Sequence, residues 1–209
     1  MRTKKALLAA LCAALLVVGS VMGTMAYLTS SDSVTNSFTV GNVAITLDEA
    51  VVNDMGVSVG GRCEPTAADP QMYHLLPGHS YTKDPTIHVG AESENCYLFV
   101  KVVNEIAAIE ATGDTTVANQ MEAKGWKVVD ADNGIYVYAN GTDAKTAVSA
   151  SSNVVVFENF TLKGAGLENA ELAGYQGKTI VVTAYAIQAD GFADHTPAQI
   201  WNAYNNNNY

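Results

Sequence analysis

The segment Cys96-Tyr-Leu-Phe-Val-Lys-Val-Val103 constrains this chain more than any other. It is short, rich in β-branched and aromatic residues, and apolar everywhere except Lys101, so neither of its faces can be left in water. A strand of that kind belongs in the middle of a sheet covered on both sides. Lys178–Gln188 is the last and longest segment of the same type; from Thr179 to Ile187 the residues are β-branched, aromatic or Ala.

Other segments fit the same architecture. Ser37–Val40 and Val43–Leu47 flank a turn at Gly41-Asn42, and Val43, Ile45 and Leu47 point one way at period two. A turn at Leu76-Pro77-Gly78-His79 leads to a strand at Thr86–Val89. Trp126–Val129, the loop Asp130-Ala-Asp-Asn-Gly134 and Ile135–Tyr138 make the clearest hairpin, because Asn133-Gly134 supplies the positive φ angles of a tight return. Val154–Leu162 predicts a further strand. Helix signals are sparse. Thr116–Lys124 spans two turns and ends before Gly125, and Thr196-Pro197-Ala198-Gln199 carries a capping hydroxyl, a first-turn Pro and a closing Gln. The helix that follows, through Ile200, Trp201 and Tyr204, should lay an aromatic face on the sheet, with Asn205–Asn208 fraying beyond it. Seven or eight short strands at roughly even spacing predict an all-β, antiparallel β-sandwich with one or two short helices.

The N-terminus reads differently. Arg2, Lys4 and Lys5 precede an apolar run from Ala6 to Met22, and Gly23-Thr24-Met25-Ala26 offers the small residues that a signal peptidase admits. Residues 1–26 are therefore expected to be a signal peptide cut between Ala26 and Tyr27, a retained membrane anchor being the alternative. Cys12 lies inside the run and leaves with it. The 209-residue chain carries 11 Lys and Arg against 21 Asp and Glu, and the three basic residues before the run are lost on cleavage. So acidic a product excludes nucleic acid as its main partner, and a membrane beyond the export step. With 48% hydrophobic and 15% charged residues it is a folded chain, and residues 40–209 fit one domain.

Export leaves Cys63 and Cys96 as an even pair. A disulfide between them closes a loop of about 34 residues, worth roughly 3–4 kcal/mol; two reduced, buried thiols are the alternative.

No GxGxxG, GxxxxGK[ST], HExxH or paired CxxC occurs, and the expectation is a protein without catalytic residues, metal or cofactor. His74, His79 and His88 gather around a Pro-Gly turn, but that spacing fixes no shared face for a zinc ion, and with His195 they are expected to be surface or partly satisfied histidines. Asp130, Asp132 and Asn133 have calcium-loop residue types, yet Gly134 falls one position early for an EF-hand and no Glu closes the loop. Asn140-Gly-Thr142 and Asn159-Phe-Thr161 are glycosylation sequons, relevant only in a host that uses them.

Several segments carry a family resemblance. The signal segment running into Ala26-Tyr27-Leu28-Thr29, followed by Asn36-Ser-Phe-Thr-Val-Gly41 and Val43-Ala-Ile-Thr-Leu47, resembles the start of the TasA/camelysin family of exported Gram-positive proteins. Leu76–Tyr81, Lys83–Val89, Tyr97–Asn104, Ala184–Phe192 and Ile200–Ala203 are similar to its clostridial branch. The resemblance implies a jelly-roll subunit of extracellular, cell-surface-associated biofilm-matrix fibres. Its partners would be copies of itself, an accessory minor subunit and a dedicated signal peptidase. It also implies that residues 27–39 act as a donor strand for the next subunit, with Tyr27, Leu28, Val34 and Phe38 as anchors. Main-chain hydrogen bonds would give affinity and alternate side chains register; head-to-tail donation does not close and so propagates. A camelysin-like surface metallopeptidase and a cell-surface binding module are the alternatives.

Overall fold

The computed structural model describes residues 41–66, 68–141 and 143–206. The signal peptide, the Ala26–Tyr27 junction, the donor strand with Tyr27, Leu28, Val34 and Phe38, and the strand Ser37–Val40 lie outside the described residues.

Eleven strands follow one another among the described residues: β1 (Ile45–Val52), β2 (Ser58–Cys63), β3 (Ser80–Thr82), β4 (Thr86–Val89), β5 (Cys96–Asn104), β6 (Trp126–Asp130), β7 (Ile135–Tyr138), β8 (Ala147–Val148), β9 (Asn153–Val155), β10 (Asn159–Thr161) and β11 (Ile180–Gln188). Three helices join them: α1 (Val117–Ala123), α2 (Asn169–Ala173) and α3 (Pro197–Asn206). All strand pairings are antiparallel. One sheet runs β2-β1-β4-β9, a second β11-β5-β7-β6 with β8 paired to β5, and β10-β3 form a small third.

The core lies between these sheets. Ile87, Val89 and Val154 from the first meet Cys96, Leu98 and Val100 from the second, with Tyr81 and Phe160 from the third. Leu98, Phe99 and Val100 are fully buried in consecutive positions, as a central strand covered on both faces must be. Its second face packs under α3, where Trp201 stacks on Phe99 with ring centroids 5.6 Å apart and meets Tyr185 edge-on at 5.1 Å. Thr196 caps that helix by accepting from the Gln199 N–H while Gln199 Oε1 accepts from the Thr196 N–H, the reciprocal box its sequence predicts. At the β6–β7 hairpin Gly134 has φ 66°, and a Cβ there would sit 2.3 Å from the Val102 carbonyl oxygen, so only glycine fits.

The described residues form eleven strands and three helices where seven or eight strands and one or two helices were expected, the short helix α2 having no counterpart among the expected elements. Other readings change as well. Val154–Leu162 is two strands: Val156 and Phe157 are both fully buried, which breaks the alternation of a single strand and carries the chain from β4's edge to β3. The strand β2, Ser-Val-Gly-Gly-Arg-Cys, was not expected; its two glycines carry no strand signal, and its pairing with β1 supplies what its side chains do not. The Cys63–Cys96 bridge is not formed. Both are free thiols, Cys63 on the outer strand of one sheet and Cys96 buried in the middle strand of the other.

Candidate functional site

β11 is the outer strand of its sheet, and among the described residues it pairs only with β5. Nine residues in unbroken one-to-one register, Ile180 opposite Asn104 through Gln188 opposite Cys96, leave one side of its backbone without a strand. Sheet edges of this length are ordinarily blunted by charge, proline or a bulge. The other long edges are. The ladder beneath β2 is bulged between Ala50 and Val52, and β2 itself carries Gly60, Gly61 and Arg62. The ladder beneath β6 is bulged between Val128 and Asp130, and β6 carries Lys127. Ile-Val-Val-Thr-Ala-Tyr-Ala-Ile-Gln has none of these devices.

The row of β11 that turns toward the main core is incompletely covered. Ile180, Val182, Ala184 and Ala186 are only half-buried, whereas Val100 and Leu98, the β5 residues opposite Ala184 and Ala186, are fully buried. Val43, Ile45 and Leu47 on and before β1 are also half-buried against the same core. The apolar lining thus continues out to an edge that has backbone donors and acceptors to offer.

The four-stranded sheet carries a polar cluster on its outward face. Arg62 on β2 donates from Nε to Asp48 Oδ1 at 2.6 Å and from Nη1 to Asp84 Oδ2 at 2.8 Å, while Nη2 reaches the carbonyls of both aspartates. Asp84 Oδ1 accepts from the Ala50 N–H at 2.6 Å. His88 on β4 sits between Asp48 Oδ1 and Asn153 Oδ1 of β9, at 2.8 and 2.7 Å. Burial pushes the Asp48 carboxyl upward, but the hydrogen bonds from His88 and Arg62 outweigh it and hold the group below its ordinary value. On the inward face Glu49 is buried and paired with Lys83 at 2.7 Å. Burial foremost, then the Glu49 charge, raises the Cys63 thiol, so it is a poor nucleophile.

The other sequence candidates are dispersed. His79 Nε2 lies 3.0 Å from the Met55 carbonyl and His88 belongs to the cluster above; among the described residues no group of three or more His, Cys, Asp or Glu is placed to hold a metal ion. Asp130 accepts from the Asn133 backbone and side-chain N–H groups at 3.2 and 2.7 Å, an ordinary turn bond. Asn140 is exposed with φ 42°, and Asn159 lies on β10. The expectation that the chain holds no G-x-S-x-G is corrected: Gly56-Val57-Ser58-Val59-Gly60 fits it. A nucleophile elbow needs a strand-to-helix turn, and Ser58 instead opens β2 after a β-hairpin. A depression of about 130 Å³ lined by Thr46, His88 and Gly90 among others is well below the roughly 300–1,000 Å³ of small-molecule sites. No helix among the described residues is long and apolar enough to cross a membrane.

Comparison with known proteins finds no match: no family model fits the chain, and no curated protein or solved structure is significantly similar to it.

Proposed function

We propose that this protein is an exported structural subunit of extracellular, biofilm-matrix-type fibres, a jelly-roll β-sandwich that joins its neighbours by β-strand donation. The observation that carries the reading is the β11 edge: nine uncharged residues, unpaired on one side among the described residues, with a half-buried apolar row beside them. A donated strand would satisfy the open backbone groups and cover that row in one step. The donor is the segment 27–39 freed by signal cleavage, whose Tyr27, Leu28, Val34 and Phe38 are its apolar anchors. Each subunit would give one strand and receive another, so the contact is heterologous and grows into a filament.

Negative-stain microscopy of the chain beginning at Tyr27, beside one lacking residues 27–35, tests this. Filaments from the first and monomers from the second are expected. Filaments from both would remove the donor assignment, and monomers from both would remove unaided assembly, leaving an accessory subunit or a surface binding module.

A further inference from the structure

We propose that His88 is a protonation-controlled clasp that ties β1, β4 and β9 together across the outward face of the four-stranded sheet, fastened when the imidazole is cationic and slackened when it is neutral. The inference is independent of the fibre reading.

It rests on the partners of the two ring nitrogens. Nε2 lies 2.8 Å from Asp48 Oδ1 and Nδ1 lies 2.7 Å from Asn153 Oδ1, so both face oxygen. Only the imidazolium has two N–H donors to offer. A neutral ring keeps both contacts only with its hydrogen on Nε2 and the Asn153 amide turned over, and it then loses its charge attraction to Asp48.

The surroundings favour the cation. Asp48 of β1 and Asp84 before β4 supply two negative charges, and Arg62 of β2 supplies one positive charge that touches both. A protonated His88 brings the set to two and two. From β9 the facing group is the uncharged Asn153, and Glu49, next along β1, turns to the inward face where Lys83 meets it. No other charged group contacts the ring among the described residues. The hydrogen bonds to Asp48 and then Asn153 hold His88 above its ordinary value of 6.5, against a smaller opposing effect of burial.

The sign of the coupling follows. A group whose folded value is raised contributes its stability in full below the unfolded value, about 6.5, and loses it as pH climbs through the folded value. Asp48 works in the opposite sense: its folded value is lowered, so its contribution fades as pH falls below about 3.8. The clasp is therefore tightest in mildly acidic solution. The strand it loosens on the alkaline side is β9, a three-residue edge that keeps its ladder to β4, its buried Val154 and the Trp126 indole bond to the Val155 carbonyl but loses the charged tie at Asn153.

The test is an NMR titration of the His88 ring protons in the full chain, with His74, His79 and His195 as internal comparisons. The expected midpoint lies above 6.5 and falls by about 0.5 pH or more in Asp48→Asn. Thermal unfolding between about pH 5.5 and 8.5 should show the advantage of wild type over His88→Gln shrinking as pH rises. A wild-type His88 midpoint at or below the ordinary value overturns the proposal. So does His88→Gln with the same pH dependence as wild type. The wild-type titration needs no variant to fold, and it decides alone if His88→Gln does not accumulate.

Discussion

Lys83 Nζ meets Glu49 Oε2 at 2.7 Å with the two side chains only 12% and 5% exposed. The second oxygen of Glu49 accepts from Gln71 Nε2 at 2.8 Å, which also donates to the Ala50 carbonyl, while Gln71 Oε1 accepts from the Val52 N–H. One buried ion pair and one amide thus fasten the bulged end of β1, where the ladder to β2 cannot.

Removing one charge of such a pair strands the other, so Lys83→Met should cost about 3–5 kcal/mol. Adding Glu49→Gln should recover much of that loss, because no buried charge then remains. Urea midpoints of the two variants decide it. Equal losses in the single and double variants would show that packing of the lysine stem, not the charge, is what matters here.

Glu110 is a second buried carboxylate, 5% exposed, and among the described residues no cation pairs with it. Asn104 Nδ2 donates to Oε1 at 2.9 Å and the Val117 N–H at the start of α1 to Oε2 at 3.3 Å. Burial raises its value above 4.5, and the two hydrogen bonds only partly oppose that. A raised carboxyl favours the folded state while protonated, so its contribution declines as pH rises from about 4.5 through the folded value. Melting temperatures of wild type and Glu110→Gln should therefore converge, or cross in favour of the variant, between acid and neutral pH. Parallel curves would mean that Glu110 titrates at its ordinary value.

The cysteines make a simple chemical prediction. With Cys63 and Cys96 unbridged on strands of different sheets, unfolding the chain that begins at Tyr27, which lacks Cys12, should release two titratable thiols without reductant. In the folded protein Cys63 should react first, since it is partly exposed and Cys96 is fully buried. Cys96→Ala should lower stability by about 1–2 kcal/mol and Cys63→Ala by less. Fewer than one thiol per chain on unfolding would restore the bridge.

Much of the fold was readable because its strongest segments are locally unambiguous. β4 lies where Thr86–Val89 was expected, β5 extends the expected run by one residue, and the β6–β7 hairpin forms as expected, although of Asn133-Gly134 only Gly134 takes a positive φ. The capping hydroxyl of Thr196 is where the sequence placed it, whereas Thr116, read as the first residue of a helix, is instead the cap of α1. What escaped notice has a common cause. β2 owes its existence to a partner rather than to its own residues, and the break at Val156–Phe157 comes from a core that takes two successive side chains. The clasp around His88 joins residues up to 65 positions apart, so no local spacing announces it. The open edge of β11 is harder still: its sequence is that of a fully covered strand, and only the topology leaves one side of it without a paired strand among the described residues.

That mismatch between sequence and neighbours yields the last prediction. Val182 faces the main core from β11 but is only half-buried, and Val102 opposite it is half-buried as well. Val182→Lys should be tolerated in the monomer, because the long stem can run along the sheet and bring its ammonium out at the open edge, at a cost of roughly 1–3 kcal/mol. The same ammonium would stand where an incoming strand must pack, and inward-pointing lysines are how natural edges refuse such strands. Filament formation should therefore be abolished in a variant that still melts cooperatively. Val128→Lys is the control, since Val128 lies on β6 at the opposite edge of that sheet and is 60% exposed. If both variants polymerise like wild type, β11 is not the receiving edge. If both fail, the loss reflects added charge rather than a blocked strand, and the acceptor has to be sought on another face of the molecule.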